Sequence, residues 1–176
     1  MSAIAILGAG GGLGHACVVK SVAAEHETRA LMRVPRANMF DARARVLACD
    51  ALDAAQLTRA ITGCDALLYC VNAPLARWSR DLPRLLASAI EACRAANVRL
   101  IFPGNVWSYG PGKGEHDLVD EARSFTPTSN KGRVRARLEA MLAQSGIRQV
   151  ILRLPEFYGP NVADGHRPLV DRSHPA

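Results

Sequence analysis

The sequence predicts an α/β fold, a doubly wound parallel sheet between two layers of helices. Three observations carry this expectation. Short apolar runs alternate with segments of helical periodicity along most of the chain. The first run, Ile4 to Leu7, ends abruptly in a glycine-rich turn that opens straight into a helical segment. Right-handed crossovers between successive parallel strands then set the strand order 3-2-1-4-5-6, a three-layer α/β/α arrangement.

The elements follow in order. Ile4–Leu7 is the first strand and Leu13–Ala24 the first helix. Thr28–Arg33 is the second strand, which Pro35 breaks. Arg45–Cys49 is the third. Asp53 stands where a helix over Ala54–Ile61 needs an N-cap, and Gly63 where it needs a closing residue. Ala66–Val71 is the fourth strand, ended by Asn72-Ala-Pro74. Leu82, Leu85, Leu86, Ala89, Ile90 and Cys93 mark one face of a helix over Asp81–Ala96. Val98–Phe102 is the fifth strand, and a loop-rich passage follows from Pro103 to Ser129. Val134, Leu138, Met141 and Leu142 lie on one face of a helix over Lys131–Gln144, closed by Gly146. Gln149–Leu154 is the sixth strand, an apolar edge expected to pair with another chain or to be covered by the tail. Residues 1–160 thus form one domain. The polar stretch 161–176 shows no periodicity and is an irregular tail.

The glycine turn carries the first functional signal. Gly-x-Gly-x-x-Gly fails from Gly8, because its third glycine would fall on Leu13, whereas Gly8-x-x-Gly11-x-x-Gly14 fits. The glycines allow a sharp turn and a close ligand, and the N–H groups of the new helix around Gly12 and Leu13 face an anion. A strand, a glycine turn and a helix N-terminus make a pyrophosphate cradle. No Gly-Lys-Ser/Thr is present, so this is not a triphosphate loop. The residue closing the second strand selects between the two nicotinamide dinucleotides: an acid suits the free ribose of NAD, and an arginine the 2′-phosphate of NADP. Here it is Arg33, with Arg36 nearby, and this favours NADP over NAD.

Composition narrows the rest. The 176 residues are enough for one domain with a real core. The net charge of +6 comes mostly from arginine scattered along the chain, without the basic–aromatic interleaving of a nucleic-acid surface. Cys17, Cys49, Cys64, Cys70 and Cys93 fall in apparent helices and strands, form no Cys-x-x-Cys, and suggest no zinc site. Free thiols in a reduced cytoplasm are expected, with no metal. No apolar run approaches the ~20 residues of a membrane span, and the first run lacks a secretory leader's basic start.

Taken together the motifs resemble the short-chain dehydrogenase/reductase superfamily, and most closely its extended and atypical branch of NAD(P)-dependent epimerases and dehydratases. The matches are the glycine turn, Cys49-Asp50, Asn72-Ala-Pro, Phe102-Pro-Gly-Asn-Val-Trp-Ser-Tyr-Gly110 and Leu152-Arg-Leu-Pro-Glu-Phe-Tyr-Gly-Pro160. The resemblance implies a Rossmann-type domain in which Gly8, Gly11 and Gly14 line the pyrophosphate. It implies that Asp50 accepts from the adenine amino group beside Ala51. Val71, Asn72, Ala73 and Pro74 would line the cofactor, the last three around the ribose, and Pro155 to Phe157 would lie on the nicotinamide.

The catalytic set departs from the family. Its serine position, counted back from Tyr109, is Asn105, which can still donate to a carbonyl oxygen. Lys131 resembles the family lysine and shares a face with Val134, Leu138 and Leu142. Four residues earlier, where the proton-donating tyrosine belongs, stands Pro127. Tyr109, Tyr158, His116 and Glu121 are the replacement acids on offer. Family members also continue past this length into a small substrate lobe. Two readings follow. One is an NADP(H)-dependent reductase-like or epimerase-like enzyme acting on a small carbonyl or sugar-type substrate. The other is an NADP-binding sensor or regulator impaired in catalysis, or a truncated product of a longer enzyme.

Overall fold

A computed structural model describes residues 1–36, 38–112 and 118–155. Six strands form one parallel sheet: β1 (Ala3–Leu7), β2 (Glu27–Met32), β3 (Ala44–Ala48), β4 (Ala66–Tyr69), β5 (Arg99–Asn105) and β6 (Gln149–Leu154). Their order is β3-β2-β1-β4-β5-β6, as the crossover rule requires. Four helices connect them: α1 (Gly12–Ala23), α2 (Ala54–Ile61), α3 (Trp78–Ala96) and α4 (Asn130–Gln144). The tail at 161–176 lies outside the described residues.

The layers are unequal. Leu7, Leu31, Leu67, Leu100 and Phe102 point to one face, where Leu57 and Ile61 of α2, Leu82 and Leu86 of α3, and Leu138 and Leu142 of α4 close a single core. Ile6, Ala30 and Met32 point to the other, against Val18 and Val22 of α1. The sheet therefore carries three helices on one face and one on the other among the described residues. On that second face Val150 and Leu152 of the edge strand β6 are 40% and 46% exposed.

Local chemistry sets the boundaries. Asp53 caps α2, its carboxylate accepting from the Gln56 N–H at 2.8 Å, and Gly63 follows at φ 82°. Ser129 caps α4 by accepting from the Gly132 N–H at 3.0 Å. Two boundaries differ from the sequence reading by three residues, and the rest by two or fewer. Helix α3 begins at Trp78, three residues before Asp81, because the Trp78 indole is buried and donates to the Ala73 carbonyl at 2.8 Å. Strand β5 runs through Pro103 and Gly104 to Asn105, two residues that ordinarily end a strand. The reason is directional. Arg99 donates toward β4 and Leu100 toward β6, so the missing N–H of Pro103 faces β4, whose pairing stops at Ile101. The β6 ladder, from Leu100 to Asn105, loses nothing. The cysteines are also placed differently: only Cys17 and Cys93 lie inside helices, while Cys49, Cys64 and Cys70 sit just beyond element ends. All five are free thiols.

Candidate functional site: a glycine-floored cavity at the strand ends

Strand β1 runs into the glycine turn, and two of its glycines are forced by backbone approach. Gly8 sits at φ 85°, and a Cβ there would lie 2.8 Å from the Cys70 carbonyl. A Cβ on Gly14 would lie 2.2 Å from the Gly8 carbonyl oxygen. These contacts seat α1 on the end of β1 and β1 against the end of β4. Gly10 differs, since a Cβ there would meet nothing within 4 Å. Gly11 is the N-cap of α1 and supplies no side-chain cap, and the first turn holds no acidic residue. The N–H groups of Gly12, Leu13 and Gly14 therefore have no carbonyl one turn back to bond, and the helix dipole adds positive potential there.

Above this turn lies a cavity of about 590 Å³ between the C-terminal ends of β1, β2, β3 and β4. That volume is within the roughly 300–1,000 Å³ of small-ligand sites. Gly8, Gly10 and Gly11 line its floor, Met32 and Arg33 one side, and Asp50, Ala51 and Leu52 the next. Val71, Asn72, Ala73 and Pro74 line the β4 side. Gly12, Leu13 and Gly14 do not line the cavity.

The polar groups have definite partners. Asp50 makes a turn through its own side chain, Oδ1 accepting from the Leu52 N–H at 3.0 Å, and its N–H donates to Gln56 at 2.6 Å. Its second carboxylate oxygen makes no hydrogen bond among the described residues. Asn72 accepts from the Ala73 N–H at 2.9 Å. Arg33 is exposed and makes no hydrogen bond or ion pair among the described residues.

Sequence reasoning missed the fourth wall. Arg77, Arg80, Asp81, Arg84 and Leu85, at the start of α3, also line the cavity. The signal was available in the spacing of Arg77, Arg80 and Arg84, which share one helical face. Asp81 pairs with Arg77 and Arg80, each at 2.7 Å. Hydrogen bonding by Arg80, then the charge of Arg77, holds the Asp81 carboxyl below the usual carboxylate range.

The residues matched to the family's catalytic positions lie elsewhere. Asn105, Tyr109, Lys131 and Pro155 do not line the cavity. Asn105 caps a short 3-10 turn by accepting from the Trp107 N–H at 3.1 Å, which leaves its amide N–H₂ to donate. Lys131 does not point into the sheet; it is exposed, with Nζ 4.9 Å above the Trp107 ring. Tyr109 is 4% exposed, packed edge-on against Phe125 at 5.2 Å and under the Arg153 guanidinium at 5.4 Å. Arg153 pairs with the buried Glu139 at 2.9 Å. Pro127 packs against α4 at Gly132, where a Cβ would come within 2.9 Å of the proline ring. Glu121, with Tyr109 and Arg153, lines a second opening of about 400 Å³. His116, Phe157 and Tyr158 lie outside the described residues. Among those residues no cluster of His, Cys, Asp or Glu is placed to hold a metal, and no helix is long and apolar enough to cross a membrane.

Solved structures share this fold. Over 92% of the chain it superposes on the Bordetella bronchiseptica enzyme WbmH in complex with NAD+, with TM-score 0.76 at 18% identity. Over 91% it superposes on the UDP-glucose 4-epimerase of Thermus thermophilus in complex with NAD, with TM-score 0.75 at 19% identity. A Rossmann-fold NAD(P)-binding family protein from Shigella flexneri gives TM-score 0.62 at 23% identity over 87% of the chain and 66% of its own length. The chain spans only 58% of WbmH and 57% of the Thermus epimerase. No curated protein sequence matches it significantly. A family model described as NAD(P)H-binding matches residues 8–173, from the first glycine of the turn through the sixth strand and past it, and the chain therefore belongs to the NAD(P)H-binding family.

Proposed function

We propose that the chain binds NADP(H) in the glycine-floored cavity, in the manner of an epimerase-like or reductase-like protein acting on a small carbonyl or sugar-type substrate. The observation that carries this is the pairing, at one cavity, of a helix N-terminus that has no side-chain cap with an Arg33 that has no partner among the described residues. The open space above Gly10 fits a pyrophosphate against the turn, where a side chain would block it. Arg33 would take the 2′-phosphate, the open oxygen of Asp50 the adenine amino group, and Asn72 to Pro74 the ribose. When bound, the cofactor supplies the hydride chemistry. Five free thiols suit a reducing cytoplasm.

The regulator reading has its own support. Pro127 holds the position of the family's acid, Tyr109 is packed away, and Lys131 rests on Trp107 outside the cavity. In that reading NADP(H) binding itself is the output. Fluorescence titration with NADPH and NADH, followed by a screen for substrate-dependent NADPH oxidation, tests both. NADPH bound more tightly than NADH, with oxidation of the cofactor by a carbonyl compound, supports the enzyme. Tight NADPH binding without turnover supports the regulator. Indifference between the two cofactors overturns the NADP assignment.

A further inference from the structure

We infer that Arg84 on α3 forms, with Arg33, a two-armed subsite for a phosphate monoester at the adenosine end of the cavity; this rests on the NADP(H) reading above. Several of the charges on the cavity wall are already paired. Four arginines line the cavity: Arg33 after β2, Arg77 immediately before α3, and Arg80 and Arg84 on α3. Asp81 engages Arg77 and Arg80. Arg84 is exposed and, like Arg33, makes no hydrogen bond or ion pair among the described residues. Asp50 and Asp81 are the carboxylates on the cavity wall. Asp81 is neutralised by its two arginines, and Asp50 turns one oxygen to the Leu52 N–H.

Two guanidiniums without counter-ions, carried by separate elements that wall one cavity, leave a site for a dianion. A guanidinium is a rigid fork matched to phosphate oxygens, and it loses less order per bond than a lysine would. An arginine on the strand end alone can grip one edge of a phosphate. A second on the facing helix reaches oxygens the first cannot. Because α3 is tied down by the buried Trp78 and Leu82, the second arm approaches from a fixed wall. The ligand class is a nucleotide with a monoester phosphate on its adenosine ribose. Asp81 acts as a selector: it withholds Arg77 and Arg80 and so keeps the subsite from gripping any anion.

The test uses 2′,5′-ADP and 5′-AMP as probes, with dissociation constants measured by calorimetry on the full chain. Arg84→Gln and Arg33→Gln should each weaken 2′,5′-ADP by about tenfold or more, the scale of a charge-assisted contact, with 5′-AMP changed less than about twofold. Arg84→Lys should recover part of the loss. Arg137→Gln, which removes the same charge from an exposed site on α4 away from the cavity, should change neither ligand. Asp81→Asn should tighten 2′,5′-ADP by freeing Arg77 and Arg80. If the wild-type chain does not prefer 2′,5′-ADP to 5′-AMP, the NADP(H) reading fails and this inference falls with it. If the preference exists and depends on Arg33 but survives Arg84→Gln unchanged, the second arm is refuted while the NADP(H) reading stands. Equal loss of both probes in Arg84→Gln also refutes it, since Arg84 would then be supporting the nucleoside.

Discussion

Gly10 and Gly14, four residues apart, should respond to the same substitution in opposite ways. Gly14→Ala places a methyl 2.2 Å from the Gly8 carbonyl oxygen, 2.8 Å from its carbon and 2.9 Å from the Ala9 Cα. All three atoms are backbone, so no side-chain rotation relieves the clash. Ordinary contact begins near 3.4 Å, and α1 must retreat by over an ångström to reach it. Overpacking of this kind costs about 1–3 kcal/mol. For a domain of this size that is a melting-temperature loss of roughly 2–12 °C. Gly10→Ala meets nothing within 4 Å, and its φ is not in the left-handed region. It should leave stability unchanged or raise it by up to about 1 kcal/mol through the unfolded chain. Its methyl would stand on the cavity floor, however, and exclude the pyrophosphate. Calorimetric melting and NADPH titration on both variants separate the two effects. The expected pattern is an unstable Gly14→Ala and a stable Gly10→Ala that binds NADPH at least tenfold more weakly, about 1.4 kcal/mol. A Gly14→Ala as stable as wild type would refute the close approach of α1. A Gly10→Ala with undiminished binding would refute the placement of the pyrophosphate on this turn.

Turnover of simple carbonyls by the wild-type chain should be slow or absent in steady-state assays with NADPH, since losing a positioned acid removes roughly 10²–10⁴-fold. Fast turnover unaffected by Tyr109→Phe and Lys131→Met would show that the chemistry lies elsewhere. The Cys17 thiol, which accepts a hydrogen bond from Cys70, is held below its ordinary pKa, whereas burial pushes Cys49 up to about 11 and Cys93 up to about 12. A lower pKa means more thiolate at a given pH, so mass spectrometry should find Cys17 alkylated by iodoacetamide first at pH 8, and Cys70→Ala should slow it. Arg153 pairs with Glu139, which is 4% exposed, so Glu139→Ala should destabilise by about 1.5–3 kcal/mol in urea unfolding, and a change under about 0.5 kcal/mol would count against the pair. Leu152→Lys on the exposed face of β6 should lower concentration-dependent association in analytical ultracentrifugation without altering NADPH binding.

The sheet was legible because buried parallel strands are short apolar runs, and here each is bounded by Gly, Pro, Asn or Asp. Residues 149–154 could be bounded to the residue because Gly146 and Pro155 flank them. The extension of β5 through Pro103 was not legible, since a proline reads as a breaker until it is known which neighbour its nitrogen faces. The cavity's strand side was readable from the glycine turn and from Arg33, Asp50 and Asn72. Its helix side went unread because the helix was started at Asp81, which left Arg77 and Arg80 outside the spacing that joins them to Arg84. Helical spacing set Lys131 on the face of Val134 and Leu138, but spacing says nothing about depth along the helix. At the first turn of α4 that face has already passed the sheet, and the side chain meets Trp107 instead.

Among the described residues, helix α1 stands alone on its side of the sheet. Its main contacts are with β1 and β2, whereas α2, α3 and α4 also pack on one another. The helix whose N-terminus would meet the cofactor thus packs mainly on two strands among the described residues, and it should be the first to open as a unit. A pyrophosphate on that N-terminus would act as its missing neighbour. At a free cofactor concentration of 100 Kd, opening that expels the ligand becomes harder by about 2.7 kcal/mol, roughly a hundredfold slower amide exchange. Deuterium uptake in Val18 to Ala23 would then serve as an occupancy gauge, reading cofactor binding from residues that never touch it.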